Sequence, residues 1–295
     1  MKTTFRDLLQ CDGPLVLPGA HDALSARLIQ QAGFPGYFIG GFPLVGARYG
    51  VPDVGLKGLG EISAGVRDIM AACDLPVFVD IDDGYGDVKN AVHTMHTYER
   101  MGVAAMQIED QRWPKRCGHM AGKQVVAPEQ MEAKIRAMVA ERINPDTFLW
   151  ARTDARGPLG LDEALRRAER YLRAGADGLF VEAPRSLEEL ERVGKAFDVV
   201  QAANPLEGGL TPILPPEELH RLGFKVVIYG INLVLHVTRT MQTFLDDLKA
   251  RRFALQGKGA SFKEYLTAVG FDDWALIDEQ FGEAGIRPSS AGSGD

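Results

Sequence analysis

The sequence is poor in cysteine and in long apolar stretches. Only Cys11, Cys73 and Cys117 occur in 295 residues, and no two of them form a Cys-x-x-Cys pair. An odd number of widely spaced cysteines suits neither a disulfide framework nor a zinc site, and it favours a reducing compartment. No stretch approaches the roughly 18 uninterrupted apolar residues of a transmembrane helix, and the N-terminus shows no signal-peptide pattern. We therefore expect a cytoplasmic protein without a membrane partner.

Positive charge is outnumbered by negative charge. The chain has 33 Lys and Arg against 40 Asp and Glu, for a formal net charge of −7. Nucleic acids and anionic membranes favour clustered Lys and Arg, and the sequence has no such cluster. We expect a small-molecule ligand and no nucleic-acid partner.

Short apolar runs, in contrast, are frequent and alternate with helical patterns. Because the runs show little polar alternation, they are typical of parallel strands covered on both faces. Eight such units in about 250 residues favour a closed (β/α)8 TIM-type barrel of the α/β class, since the glycine-rich fingerprint of an open dinucleotide-binding sheet does not follow the first run. The runs are LVLPGA, GYFIGG, PVFVDID, AAMQIED, FLWARTDA, GLFVEAP, VVQAAN and KVVIYGI.

The domain organisation follows from where this alternation stops. We place the barrel at residues 1–250, a C-terminal helical extension at 251–285 and a small, polar, disordered tail at 286–295. Within the barrel, polar residues gather where the runs end, and the C-terminal strand ends of such a barrel form its mouth. These residues predict one polar, acidic pocket: Asp80, Asp82, Glu109, Arg152, Asp154, Glu182 and Asn204.

The stretch VDIDDGYGD favours a divalent cation. Asp80 and Asp82 alternate along a strand and share a direction, and carboxylates this close are costly without a cation. Mg²⁺, or Mn²⁺, suits such oxygen ligands, with one or two direct carboxylates and several waters. Asp53 and Glu109 would act through those waters. The alternative is a run of acidic loop residues that hold turn amides.

Cys117 lies in the stretch PKRCGH between cations and glycines. A free cysteine is most often a small buried apolar residue. Here Lys115, Arg116 and His119 are expected to lower the pKa of the thiol, and neighbouring glycines such as Gly118 allow the loop to move. We interpret the loop as a mobile flap that brings a thiol over the pocket.

Arg152 follows an apolar strand and should lie at the mouth. A buried guanidinium there requires a carboxylate, which is either a structural one such as Glu182 or that of a bound acid.

Together, the motifs VDIDDGYGD, IEDQRWPKRCGHMAGK, ARTDA and GADGLFVEAP resemble the isocitrate lyase and phosphoenolpyruvate mutase superfamily, over about residues 14 to 250. Among its small members, the likeness is to 2-methylisocitrate lyase, 2,3-dimethylmalate lyase, petal death protein and carboxyphosphonoenolpyruvate phosphonomutase. The resemblance implies a barrel whose eighth helix is swapped between subunits of a homodimer or homotetramer.

The resemblance also implies roles for individual residues. Asp82 would hold Mg²⁺, with Asp80, Asp53 and Glu109 organising its waters. Cys117 would be the general acid on a gating loop, and Arg152, Glu109 and His119 the other catalytic residues. The implied substrate-binding residues are Phe38, Gly40, Gly41, Lys115, Arg116, Gly118, Arg152, Glu182, Asn204 and Asn232.

The implied activity is Mg²⁺-dependent cleavage of a carbon–carbon bond in a 2-hydroxy di- or tricarboxylate, of the 2-methylisocitrate or substituted-malate type. The products are a 2-keto acid and a second carboxylic acid, with oxaloacetate hydrolysis as a side activity. A phosphonomutase of the carboxyphosphonoenolpyruvate type and a dicarboxylate-binding barrel without turnover are the alternatives. Gly40, Arg48, Gly230 and Asn232 depart from the usual lyase pattern, so we expect them near the variable end of the substrate, with Arg48 free to bind an anion there.

Overall fold

The apolar runs of the sequence form the strands of a barrel. The computed structural model describes residues 3–282, and each of the eight predicted runs contains one strand. The strands in this range are β1 Leu15–Pro18, β2 Tyr37–Ile39, β3 Val77–Asp80, β4 Ala105–Glu109, β5 Phe148–Thr153, β6 Gly178–Val181, β7 Val200–Ala203 and β8 Val226–Tyr229.

All paired strands run parallel in the order β1-β8-β7-β6-β5-β4-β3-β2. The first and last strands of this order meet through a single parallel bridge between Gly19 and Phe38. The Ala20 amide donates to the Phe38 carbonyl at 2.8 Å at the same place. The predicted (β/α)8 barrel is therefore confirmed.

Helices separate the strands. They are α1 Phe5–Leu8, α2 Ala23–Gln31, α3 Gly41–Tyr49, α4 Leu59–Met70, α5 Val88–Met101, α6 Pro128–Ala140, α7 Arg156–Leu159, α8 Leu161–Arg173, α9 Leu187–Gly194, α10 Pro216–Arg221, α11 Asn232–Lys249, α12 Phe262–Ala268 and α13 Phe271–Phe281. Gly102 ends α5 with φ +85°, the left-handed conformation that only glycine adopts without strain. Asp87 begins the same helix by accepting from the Lys89 and Asn90 amides.

Large apolar side chains fill the N-terminal end of the barrel. Phe78 and Trp150 stack with ring centroids 5.3 Å apart. Phe5, from α1, packs against Phe148 at the first position of β5 and against Phe78, with centroids 5.4 and 5.6 Å apart. Because all four rings are buried, this end of the barrel is a core and leaves the opposite end for polar side chains.

The chain divides into two compact units after Arg239. The second unit begins with the C-terminal part of α11. The region predicted as a helical extension contains two helices, α12 and α13, which separate at Gly270, with φ +76°. The division at residue 250 stays a prediction, and the predicted tail at 286–295 lies outside the described residues. Among the helices of residues 3–282, none combines the length and apolar character that a membrane crossing requires.

Candidate active site

The polar strand ends converge at the C-terminal mouth of the barrel, as the sequence predicts. They surround a cavity of about 500 Å³, a figure that includes space open to solvent. The lining includes Phe38, Gly40, Gly41, Asp53, Asp80, Gln107, Lys115, Cys117, Gly118, His119, Arg152, Glu182, Asn204 and Gly230. Twenty residues line this cavity, and twelve of them belong to the predicted site residues.

Arg152 is the centre of the charge network. Its guanidinium donates to Asp154 Oδ2 from Nε at 2.8 Å and lies 3.2 Å from Glu109 Oε2, 3.4 Å from Glu182 Oε2 and 3.5 Å from Asp80 Oδ2. The side chain is 8% exposed. Although burial disfavours its charge, the four carboxylates raise the pKa of Arg152 further above its usual value. The residue is a permanent buried cation at the mouth.

Lys115 of the flap occupies a second charge cluster. Its Nζ lies 2.8 Å from Asp53 Oδ1 and 2.5 Å from Asp82 Oδ1, and all three side chains are buried. Asp82 takes φ +49° at the end of β3, a left-handed conformation, and its backbone N–H donates to Asp80 Oδ1 at 3.1 Å. The ammonium group of Lys115 thus connects the flap to the acidic stretch after β3.

The mouth holds more buried negative than positive charge. Six carboxylates, Asp53, Asp80, Asp82, Glu109, Asp154 and Glu182, face three permanent cations, Lys115, Lys123 and Arg152. Burial raises the pKa of Asp82 to about 7 and also raises the pKa of Asp80 and of Glu109, against the opposing effect of nearby cations. Such an excess of carboxylate oxygens fits a hard divalent cation.

Direct ligands for that cation are few. Within residues 3–282, no group of three or more His, Cys, Asp or Glu side chains is placed to hold a metal ion as it stands. The ammonium of Lys115 lies between Asp53 and Asp82, where their oxygens would otherwise share a cation. The residues fit a site with one or two protein carboxylates and several waters, which is the form that Mg²⁺ prefers.

The predicted flap, residues 111–126, lies closed over the cavity. Gln111 and Val125 form an antiparallel bridge at its base, and the Gln111 side chain binds both backbone groups of Arg116. Gly118 packs so closely that an added Cβ would lie 2.5 Å from Glu182 and 2.6 Å from Arg152. Only glycine fits there, so the flap reaches the two residues through bare backbone.

The thiol of Cys117 does not have the electrostatics that its sequence neighbours indicate. Burial is the main cause, and the carboxylates of Glu182 and Asp53 act in the same direction, so that the pKa of Cys117 is raised to about 11. The expectation of a lowered pKa is wrong, because Lys115 is engaged with carboxylates and the Arg116 side chain is exposed. The thiol is therefore protonated at neutral pH, which suits a proton donor rather than a nucleophile.

His119 connects the flap to two other elements. Its Nδ1 accepts from the Leu210 amide at 3.0 Å, and its Nε2 lies 2.9 Å from Glu182 Oε1. Because Nδ1 accepts this hydrogen bond, the proton of the neutral ring lies on Nε2, which faces Glu182. His119 thus lies against the carboxylate that also contacts Arg152.

Several predicted site residues lie beside the cavity and not on its wall. Asp82 and Glu109 are buried behind Lys115 and Arg152. Arg116 donates to the Ala121 carbonyl at 3.5 Å, and Asn232 donates to Glu207 at 3.4 Å. Arg48 pairs with Asp68 on the surface, so the expectation that it binds an anion of the substrate is wrong.

One polar residue of the site escaped the sequence analysis. Gln107, in β4, is fully buried in the cavity wall, and neither amide atom finds a partner among the described residues. The sequence did carry a signal for Gln107. It is a polar residue within an apolar run, two positions before Glu109 and so on the same side of the strand.

The profile of the phosphoenolpyruvate phosphomutase family matches residues 5–249 of this chain. The chain belongs to that family. The match covers the whole barrel and the flap, so the superfamily resemblance of the sequence motifs is confirmed.

Curated relatives carry both lyase and mutase names. The chain is 41% identical to 2,3-dimethylmalate lyase of Eubacterium barkeri, over 83% of this chain and 85% of the relative. It is 38% identical to the chloroplastic carboxyvinyl-carboxyphosphonate phosphorylmutase of Arabidopsis thaliana, over 95% and 85%. It is 36% identical to 2-methylisocitrate lyase of Halalkalibacterium halodurans, over 93% and 91%.

Among solved structures, the chain is similar to oxaloacetate acetylhydrolase in complex with the inhibitor 3,3-difluorooxalacetate. The TM-score is 0.90 at 30% identity, and the superposition covers 98% of each chain. The barrel and its C-terminal helices are thus a shared architecture.

Proposed function

We propose that the protein is a divalent-metal-dependent lyase that cleaves a carbon–carbon bond of a 2-hydroxy di- or tricarboxylate. The observation that carries the proposal is one cavity in which a buried guanidinium, Arg152, faces a protonated thiol, Cys117, on a closed flap. A guanidinium holds a carboxylate, and a neutral thiol can protonate a carbanion. The lyase names of relatives support this class of reaction.

The metal is assigned to the acidic side of the cavity. Asp82 would be the direct ligand, with Asp80, Asp53 and Glu109 holding its waters, and Mg²⁺ or Mn²⁺ the ion. Bound there, the cation would supply Lewis-acid stabilisation for negative charge on the substrate oxygens. The excess of six carboxylates over three permanent cations supports this assignment.

The side chains of the protein account for the remaining steps. Arg152 and the backbone of Gly41 hold the carboxylate end of the substrate, and the amide of Asn204 binds its other polar groups. A buried carboxylate takes the proton of the 2-hydroxyl, so C2 becomes a ketone and the C2–C3 bond breaks. The electron pair of that bond forms an enolised carboxylate, which takes the proton of the Cys117 thiol at C3. The two products together contain all the atoms of the substrate.

The test is ¹H NMR of the purified protein with Mg²⁺ and a panel of 2-methylisocitrate, 2,3-dimethylmalate, 2-methylmalate and oxaloacetate. We expect a 2-keto acid and a second carboxylic acid from at least one 2-hydroxy acid of the panel. No product from any member, with metal present and the protein folded, would contradict the proposal.

Cys117→Ser tests the role of the thiol in the same assay. Loss of the acid should lower kcat by about 10²- to 10⁴-fold, because a serine hydroxyl is a much weaker proton donor. Cys11→Ser is the matched control, since Cys11 is an exposed free cysteine outside the cavity. Unchanged turnover in Cys117→Ser would remove the thiol from the mechanism.

A second activity is favoured by the relatives and structures. Oxaloacetate acetylhydrolase shares this fold at 30% identity, and a carboxyvinyl-carboxyphosphonate phosphorylmutase is 38% identical in sequence. Oxaloacetate in the panel yields oxalate and acetate if hydrolysis occurs. Detection by ³¹P NMR of a carbon–phosphorus bond formed from a carboxylated phosphonoenolpyruvate would favour the mutase.

The second compact unit exposes large aromatic side chains that indicate self-association. Phe262, Trp274 and Phe281 are 80%, 68% and 66% exposed. Exposed aromatic residues in such number mark an interaction surface. We propose that a second copy of the chain covers them in a homodimer or homotetramer, which light scattering at several concentrations would test.

A further inference from the structure

One ammonium group joins the tip of the flap to the barrel. Lys123 donates to Asp154 Oδ1 at 2.7 Å, and the two side chains are 3% and 0% exposed. The same Nζ donates to the carbonyl of Gly118, the residue that follows Cys117. The buried ammonium group of Lys123 therefore binds both the barrel, at Asp154, and the tip of the flap, at Gly118.

The barrel side of this contact is firmly held. The Asp154 amide donates to Asp110 Oδ1 at 2.8 Å. The other oxygen of Asp110 accepts from Thr153 Oγ1 and Tyr171 OH, both at 2.8 Å. All of these groups are buried, so the barrel holds Asp154 in position through contacts that do not involve the flap.

Asp154 also contacts the substrate-binding side of the cavity. Its carboxylate accepts from Arg152 Nε at 2.8 Å and from Arg152 Nη2 at 3.2 Å. Burial opposes its ionisation, yet Arg152 and Lys123 hold the pKa of Asp154 at about 2. One ionised carboxylate thus links the flap cation to the guanidinium that faces the cavity.

We propose that Lys123 is a positioning residue that latches the flap closed and so places the Cys117 thiol over the substrate. The proposal rests on the proposed lyase function only for its catalytic consequence. Lys123 does not line the cavity described above and acts through the Cys117–Gly118 backbone and through Asp154.

Access to Cys117 is the direct measurement. Lys123→Met keeps the length of the side chain and removes its charge. In the protein without substrate, we expect iodoacetamide to modify Cys117 at least tenfold faster in Lys123→Met than in the parent. Peptide mass spectrometry measures the rate of this modification. Removing a cation disfavours the thiolate, so a faster reaction reports access and not ionisation.

A second variant opens the latch without changing any charge. Gly157, on the exposed face of α7, lies against Lys123, and an added Cβ would be 3.3 Å from Lys123 Cε. Gly157→Val should displace the lysine and also raise the rate of Cys117 modification at least tenfold. This variant decides the question if Lys123→Met does not fold.

Lys134→Met is the matched control. Lys134 is also a buried lysine, donating to the Asp83 carbonyl at 2.7 Å with its Nζ 3.5 Å from Asp83 Oδ2, but it belongs to α6 and not to the flap. We expect modification of Cys117 within twofold of the parent in this variant. An equal acceleration in Lys134→Met, or unchanged rates in folded Lys123→Met and Gly157→Val, would overturn the latch.

The catalytic consequence is a separate readout. With a substrate identified, Lys123→Met should lower kcat at least tenfold and change KM less than threefold, because Arg152 still binds the carboxylate while the thiol is misplaced. The modification assay needs no substrate, so faster modification in a protein that cleaves nothing would keep the latch and reject the lyase. Unchanged modification in an active lyase would reject only the latch.

Discussion

At the N-terminal end of the barrel, Phe5 packs against Phe148 and Phe78, with ring centroids 5.4 and 5.6 Å apart. At the C-terminal end, the guanidinium of Arg152 lies within 3.5 Å of four carboxylates. Burial of aromatic surface stabilises the fold, whereas burial of charged groups is costly even when they are paired. The comparison separates the end of the barrel that holds the fold together from the end that carries chemistry.

Removal of divalent metal should have the largest effect at the mouth. We expect chelation to abolish turnover, and Mg²⁺ or Mn²⁺ to restore it. Independently of activity, added Mg²⁺ should raise the thermal midpoint of metal-free protein, since binding at 100 times Kd stabilises by about 2.7 kcal/mol. Asp82→Asn is the control and should lose most of this thermal response. Full activity in excess chelator would contradict the metal assignment.

Arg152→Met should have the next largest effect. It leaves buried carboxylates without their guanidinium and removes the group that holds the substrate, so kcat/KM should fall by about 10³-fold or more. Steady-state kinetics measures it. Arg142→Met is the matched control: Arg142 also pairs with a carboxylate, Asp177, at 2.9 Å, but Asp177 precedes β6, on the side of the barrel away from the cavity. We expect kcat/KM of this control within twofold of the parent.

Phe5→Ala should affect stability and leave catalysis intact. Phe5 is 1% exposed and contacts the ring cluster, so its truncation should lower the free energy of unfolding by about 3–5 kcal/mol. Urea unfolding measures the loss. Leu28→Ala, at a position 46% exposed, should cost about 0.5 kcal/mol or less. A fall in kcat of folded Phe5→Ala protein would show that the two ends are not independent.

The smallest effect concerns the ionisation of Cys117. Because burial raises the pKa of its thiol to about 11, its alkylation rate should keep rising about tenfold per pH unit between pH 8 and 10. An ordinary thiol, with a pKa of about 8.5, levels off within this range. A plateau below pH 9 for the Cys117 peptide would show that the thiolate is stabilised and would argue against a proton donor.

The position of the strands and of most mouth residues followed from the sequence. Asp80, Glu109, Arg152 and Glu182 end apolar runs, and parallel strands necessarily present their C-terminal ends on the same side of a barrel. The flap was also predictable, because glycines and cations interrupt the pattern after β4. These features depend on local pattern and on the periodicity of strands and helices, which the chain carries in its own order of residues.

The pairing of charges depended on the folded loop. Lys115 reaches Asp53 and Asp82, 62 and 33 positions away, and Lys123 reaches Asp154. The sequence neighbours of Cys117 indicated that cations would lower the pKa of its thiol. Lys115 and Lys123 are instead engaged by carboxylates from distant strand ends, and burial raises the pKa of the half-buried thiol. Which cation meets which anion, and how far each is removed from water, is set by packing across the barrel mouth, because both depend on distances between residues remote in sequence.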